Sequence, residues 1–133
     1  MLSALFFVEY ATITDGMVNV LSGGITRVGR PGFPARLELQ LIGFLHPTAS
    51  DTPHSIKFTL TNADSEDQTP IAEVGADNYT VTVVGDADIR AVSAPLVVDL
   101  RGVVVPRPGT YKMQSRVNDK ESLAIYLQVV PND

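Results

Sequence analysis

The residues able to do chemistry are few in this chain and widely spaced. Its only histidines are His46 and His54, which flank the polar run "PTASDTP". A nucleophilic triad needs a serine or threonine held against a histidine base that an acid orients. The G-x-S-x-G turn that presents such a serine is absent. Both histidines therefore read as solvated loop residues. With Asp51 they form the only metal set that histidine offers here, and no helical zinc pattern brings them to one face. The glycine pair of "LSGGITRVG" leads into β-branched residues rather than a helix, and no phosphate-binding lysine follows. A phosphate cradle is thereby excluded.

Carboxylates are more plentiful. "DSED", "GADN" and "GDAD" place Asp64, Glu66, Asp67, Asp77, Asp86 and Asp88 in turns. Calcium takes several carboxylate and carbonyl oxygens, so acidic loops gathered at one end of a β fold would make a calcium or carbohydrate site. The EF-hand spacing does not occur, and turn-forming Asp and Asn already account for these positions by bonding their own backbone. Asp99 stands apart. It sits inside the apolar run "PLVVDLRGVVV" with Arg101 two residues on, a spacing that predicts a same-face ion pair.

Those residues sit in 133 positions of globular composition, 44% hydrophobic and 19% charged, which is one ordinary domain spanning 1–133. Cysteine is absent, excluding disulfides, thiolate catalysis and iron–sulfur clusters. Its absence tilts the expectation toward a reducing, cytoplasmic interior. The net charge is −5 and the ten Lys and Arg are scattered. No nucleic-acid backbone or anionic membrane is an expected partner. The opening apolar stretch, Leu2–Val8, lacks a preceding basic residue and reads as a strand rather than a targeting segment.

The elements that must position these residues have a period of two. "RLELQLIGFL" puts Leu37, Leu39, Leu41 and Leu45 on one face, "SIKFTLT" does so with Ile56, Phe58 and Leu60, and "SLAIYLQV" with Leu123, Ile125, Leu127 and Val129. Such alternation marks half-buried strands. Proline and glycine fall mostly in the breaks between them. Strands are expected near 2–10, 17–28, 36–45, 55–62, 71–74, 79–84, 96–105, 110–117 and 122–130. The expected fold is all-β: a two-sheet antiparallel β-sandwich of eight or nine strands, immunoglobulin-like or jelly-roll-like, with little or no helix.

Three strands are apolar on both faces. "LSALFFV" adds Leu5 and Phe7 opposite Leu2, Ala4, Phe6 and Val8. "RLELQLIGFL" adds Ile42 and Phe44, and "PLVVDLRGVVV" adds Val97 and Val103. These six, Leu5, Phe7, Ile42, Phe44, Val97 and Val103, are the interface candidates, because monomers rarely expose large apolar patches. In "DGMVNVLSGG", Asp15–Gly16 predicts a hairpin turn. The strand after it carries Met17, Asn19 and Leu21 on one face and Val18 and Val20 on the other.

The opening "LFFVEYATITDGMVNVLSGGITRV", with its following "GFP", and the closing "VVVPRPGTYKMQSRVND" together resemble a bacterial, actinobacterial-type family of small all-β proteins of unknown function. The resemblance implies a compact β-sandwich. It carries no activity, cofactor or site residue. With no catalytic constellation in view, the expected role is non-enzymatic. The chain would self-associate or serve as a small protein subunit of a larger cellular or phage assembly.

Overall fold

The computed structural model describes residues 1–132. It is nearly all β, with eleven strands and one short turn of 3-10 helix, Ile89–Ala91, among those residues. No described helix is long and apolar enough to cross a membrane. The strands are β1 (Leu2–Thr14), β2 (Met17–Ile25), β3 (Arg27–Arg30), β4 (Ala35–Arg36), β5 (Gln40–Leu45), β6 (His54–Asn62), β7 (Ala72–Tyr79), β8 (Ala94–Asp99), β9 (Val104–Val105), β10 (Gly109–Val117) and β11 (Lys120–Pro131). They form a four-stranded sheet in the order β2-β1-β5-β8, a five-stranded sheet in the order β3-β11-β10-β6-β7, and a small pair, β4-β9. Every pairing is antiparallel except β3 on β11, which is parallel.

A single apolar cluster draws on both larger sheets. Phe7, Leu41 and Leu45 come from one, and Phe58, Leu60, Met113, Leu127 and Val129 from the other. All of these side chains lie on the alternating faces that the sequence marks as apolar, except Phe7. A register shift between Leu2 and Ala4 in the β1–β5 pairing accounts for that exception. After it, Leu5 and Phe7 oppose Gly43 and Leu41 and turn into the core. Two interface candidates, Leu5 and Phe7, are thus interior residues, and Ala4, Phe6 and Val8 take the outer face instead. Ile42 is also buried, within an outer cluster where Phe6, Val18, Phe44 and Val97 pack around it. Phe44 and Val97 remain half-buried there, and Val103 packs half-buried against the main core.

Local hydrogen bonding explains where strands end differently from expectation. The 36–45 run breaks between β4 and β5, because Glu38 turns with a φ of 56°. The backbone around it bonds Val103, Arg101 and Leu100. The 96–105 run breaks at a turn closed by Val103 N–H on the Leu100 carbonyl. The expected strands 71–74 and 79–84 become one strand, β7, followed by coil. In that coil the Val81 carbonyl accepts from Asp51 and Val83 N–H donates to Ser50 Oγ, so the loop around residue 50 replaces a strand neighbour.

Two buried polar side chains are paired within this frame. Ser115 sits fully buried where β10 bulges, and its hydroxyl both donates to the Leu123 carbonyl and accepts from Leu123 N–H. The ring of Tyr111 is also fully buried, and its hydroxyl donates to the Arg107 carbonyl at 2.5 Å, closing the turn into β10. Tyr111→Phe removes that bond alone and is expected to cost about 1 kcal/mol. Tyr111→Ala empties the core position and is expected to cost about 3–5 kcal/mol. Urea unfolding of both variants checks this. A Phe variant as stable as the wild type would show that the bond contributes nothing.

Candidate functional site

The residues of chemical type do not converge. Asp99 and Arg101 form the same-face pair that their spacing predicts, with Nε–Oδ1 at 2.9 Å, and both are about half exposed. The hydrogen bond from the Arg101 side chain, then that from its backbone N–H, hold the Asp99 carboxyl down at about 2. Asp67 accepts from the backbone and hydroxyl of Thr69, Asp88 caps the 3-10 turn and grips Arg90, Asp64 accepts from Thr110 N–H, and Asp77 accepts from Ser55. Glu66 shares a surface hollow with Asp64, Asp67 and Arg107. Asp86 lies exposed in a turn. Of the six candidate calcium carboxylates, Asp64, Glu66 and Asp67 share one loop while Asp77, Asp86 and Asp88 lie elsewhere, and Asp64, Asp67, Asp77 and Asp88 are engaged by protein donors. Among the described residues no three His, Cys, Asp or Glu side chains gather as metal ligands would.

The histidines are placed differently from the solvated loop reading. His46 is half-buried, with Nδ1 at 2.9 Å from the Val92 carbonyl. His54 opens β6, is 1% exposed, and neither ring nitrogen has a protein partner. Strand β6 starts one residue before the alternation begins, and that carries His54 under the fold.

Two apolar surface features remain. One is a cleft of about 440 Å³ between β7 and β8, lined by Ile56, Phe58, Val74, Tyr79, Leu96 and Val98 among others. Its polar groups are the Tyr79 phenol, raised by burial, and Asp99, already held by Arg101. A catalytic pocket needs several convergent polar groups, and this cleft has none to spare.

The other feature is the β1–β2 hairpin. Strand β1 pairs with β5 only as far as Val8, yet it continues to Thr14 against β2 alone. Asp15 and Gly16 turn with φ of 52° and 74°, the positive values that a two-residue hairpin turn of this hand requires. The overhang is anchored at its root by Gln40, a buried residue of β5 whose Oε1 accepts from Ala11 N–H at 2.7 Å. That side chain supplies the partner that β5 no longer offers as backbone. Beyond the anchor, one face is bare and the other is covered only at Ala11 and Val18, which pack with the Ile42 cluster. Tyr10, Met17 and Leu21 lie exposed on one face, Met17 at 67% and Leu21 at 59%; Ile13 and Val20 lie exposed on the other. Five of the exposed large hydrophobic residues thus occur on one hairpin, and β2 contains no charged residue.

A model of a family of unknown function, DUF6941, matches residues 3–130. The chain belongs to that family. No curated protein and no solved structure matches it. Membership of DUF6941 brings no assigned chemistry, so the exposed hairpin is the site with the strongest physical character. None of the exposed hairpin residues Tyr10, Ile13, Met17, Val20 and Leu21 is among the six interface candidates read from two-faced strands. The signal in the sequence is "MVNVL", which carries apolar residues on both faces and no charge.

Two expected outcomes test the placement of the polar residues. His54→Leu removes two unpartnered buried nitrogens and is expected to stabilise the fold by about 1–2 kcal/mol in urea unfolding; a loss of stability would show that the imidazole is held by bonds after all. For Asp99, the folded-state value lies below the ordinary carboxylate value. Its contribution is therefore present above the ordinary value and lost as pH falls toward about 2. Both partners are exposed, so the effect is small. The stability gap between wild type and Asp99→Asn is expected to narrow as unfolding is followed from pH 5 to pH 2, and a constant gap would contradict it.

Proposed function

We propose that this chain is a non-enzymatic protein-interaction module, working as a self-associating unit or a small subunit of a larger assembly. In this reading the two larger sheets face each other as the halves of a β-sandwich, and the β1–β2 hairpin is the contact surface. The kinship with small bacterial all-β proteins suggested by both ends of the chain belongs to the same reading.

One observation carries it. Five exposed apolar side chains are gathered on the two faces of a hairpin whose β1 strand runs past its pairing with β5 and is anchored there by Gln40. Leaving such a surface in water costs about 25 cal/mol for each Å² that a partner would cover. Scattered exposed hydrophobics are ordinary, whereas a contiguous apolar surface marks a contact site. The engagement of the acidic side chains in local turns supports binding through apolar contact rather than through charge or a metal.

The test is molar mass by light scattering across concentration. The wild type is expected to grow in apparent mass from low to high micromolar concentration. The double substitution Met17→Glu, Leu21→Glu is expected to abolish that growth while leaving the melting temperature within a few degrees, because neither side chain contributes to the core. A wild type that stays strictly monomeric at high micromolar concentration would eliminate self-association.

A further inference from the structure

The two larger sheets have four free edges, β2, β8, β3 and β7. An open edge is a row of unpaired N–H and C=O groups that any other strand can join, and folds protect edges with charge, proline or short length. Three of the four carry such protection. Strand β8 has Pro95 and ends in Asp99, β3 is four residues long with Arg27 and Arg30, and β7 carries Glu73 and Asp77. Strand β2, with nine residues, has no charge and no proline.

We propose that β2 pairs edge to edge with β2 of a second copy, antiparallel about a two-fold axis centred on Asn19. This rests on the reading of the hairpin as the contact surface and specifies its partner and register. The partner follows from charge. A strand joined to β2 meets no complementary charge, and pairing with β8, β3 or β7 would draw a charged residue into an apolar contact. Among the described edges of the two larger sheets, the one left unprotected is β2 itself.

The register follows from the side chains. In an antiparallel pair the residues whose backbone groups point outward must face each other, so the two positions in each pair share parity. Ser22 and Gly24 turn with φ of 54° and 75° and bend the edge, leaving Met17–Leu21 as its straight part. Centring that part on itself sets Asn19 opposite the partner's Asn19, Met17 opposite the partner's Leu21, and Val18 opposite the partner's Val20. Apolar residues then meet apolar ones, with two branched valine pairs on one face. The amide of Asn19, whose one bond within the chain is a long 3.5 Å contact with Thr14 Oγ1, meets an identical amide at the axis. A lone polar pair among apolar ones penalises other registers, because a slip would bury the amide against a hydrocarbon.

Edge pairing sets Met17, Val18, Val20 and Leu21 of each copy beside the partner's strand on the two faces of the sheet and satisfies the unpaired backbone groups of the edge. Joining the two edges makes one continuous eight-stranded sheet from two four-stranded ones.

The chain has no cysteine, so single introduced thiols report the register directly. Under mild oxidation at high micromolar protein, Asn19→Cys is expected to form a disulfide-linked dimer at least about tenfold faster than Met17→Cys, because the pairing places its two thiols at high effective concentration. An equimolar mixture of Met17→Cys and Leu21→Cys is expected to give the mixed dimer in preference to either homodimer. Both results support the two-fold register. If light scattering shows a dimer but Asn19→Cys links no faster than Met17→Cys, the β2–β2 pairing is overturned while the hairpin stands as a contact surface. If the wild type is monomeric throughout, the second copy is overturned as occupant and the edge is left to a different protein.

Discussion

The apolar cluster shared by the two larger sheets is the contact on which everything else depends. Strands of β1, β5 and β8 supply one side and strands of β6, β10 and β11 the other. Because side chains alternate along a strand, burying one face decides the direction of every neighbour on it. The shift between Leu2 and Ala4 shows how strong that demand is. One irregularity in pairing is enough to exchange the roles of Phe6 and Phe7, and the chain takes the exchange that puts Phe7 inside. The outer face then receives a smaller cluster around Ile42, which closes laterally with Phe6, Phe44 and Val97.

The same alternation limits what the molecule can do chemically. Polar side chains are directed outward or into turns, where Asx-type bonds and short ion pairs occupy them. Asp67 with Thr69, Asp88 with Arg90 and Asp99 with Arg101 are all of this kind, each reaching only two residues along the chain. Local partners of this sort leave little for a substrate. Apart from the buried His54 ring, the groups that the described residues leave unsatisfied are of another type: apolar side chains on the hairpin and the backbone of one unguarded edge. That asymmetry is what supports the proposed association role.

Strand rhythm was legible in the sequence because it reports burial directly. Leu37, Leu39, Leu41, Leu60 and Leu127 are all interior as their period indicates. The Asp15–Gly16 turn was legible because positive φ at both positions has few residue solutions. The parity of "LSALFFV" was not legible: both faces are apolar, so only the register with β5 distinguishes them. His54 was also hidden: it continues the inward series of Ile56, Phe58 and Leu60, but a histidine between proline and serine reads as part of the preceding loop. The breaks at Glu38 and at Leu100–Gly102 depend on bonds between segments far apart in the chain, which no local pattern encodes. The reach of β1 past β5 escaped notice for a related reason. Overhang is a property of two strand lengths compared, and it exposes Tyr10 and Ile13 without altering the alternation around them.

The bend at Ser22–Gly24 has a bearing on the solubility of the folded chain. An uncharged apolar edge is the kind of template from which cross-β fibrils grow, and such growth requires a straight segment of about six or seven residues that stacks in register. In β2 the left-handed turns at Ser22 and Gly24 stop the straight run after Leu21, five residues from Met17. A straight run of five residues falls short of the about six or seven that such a fibril stacks in register. Straightening that bend, rather than adding apolar surface, would be the change that turns a contact surface into a nucleus for aggregation.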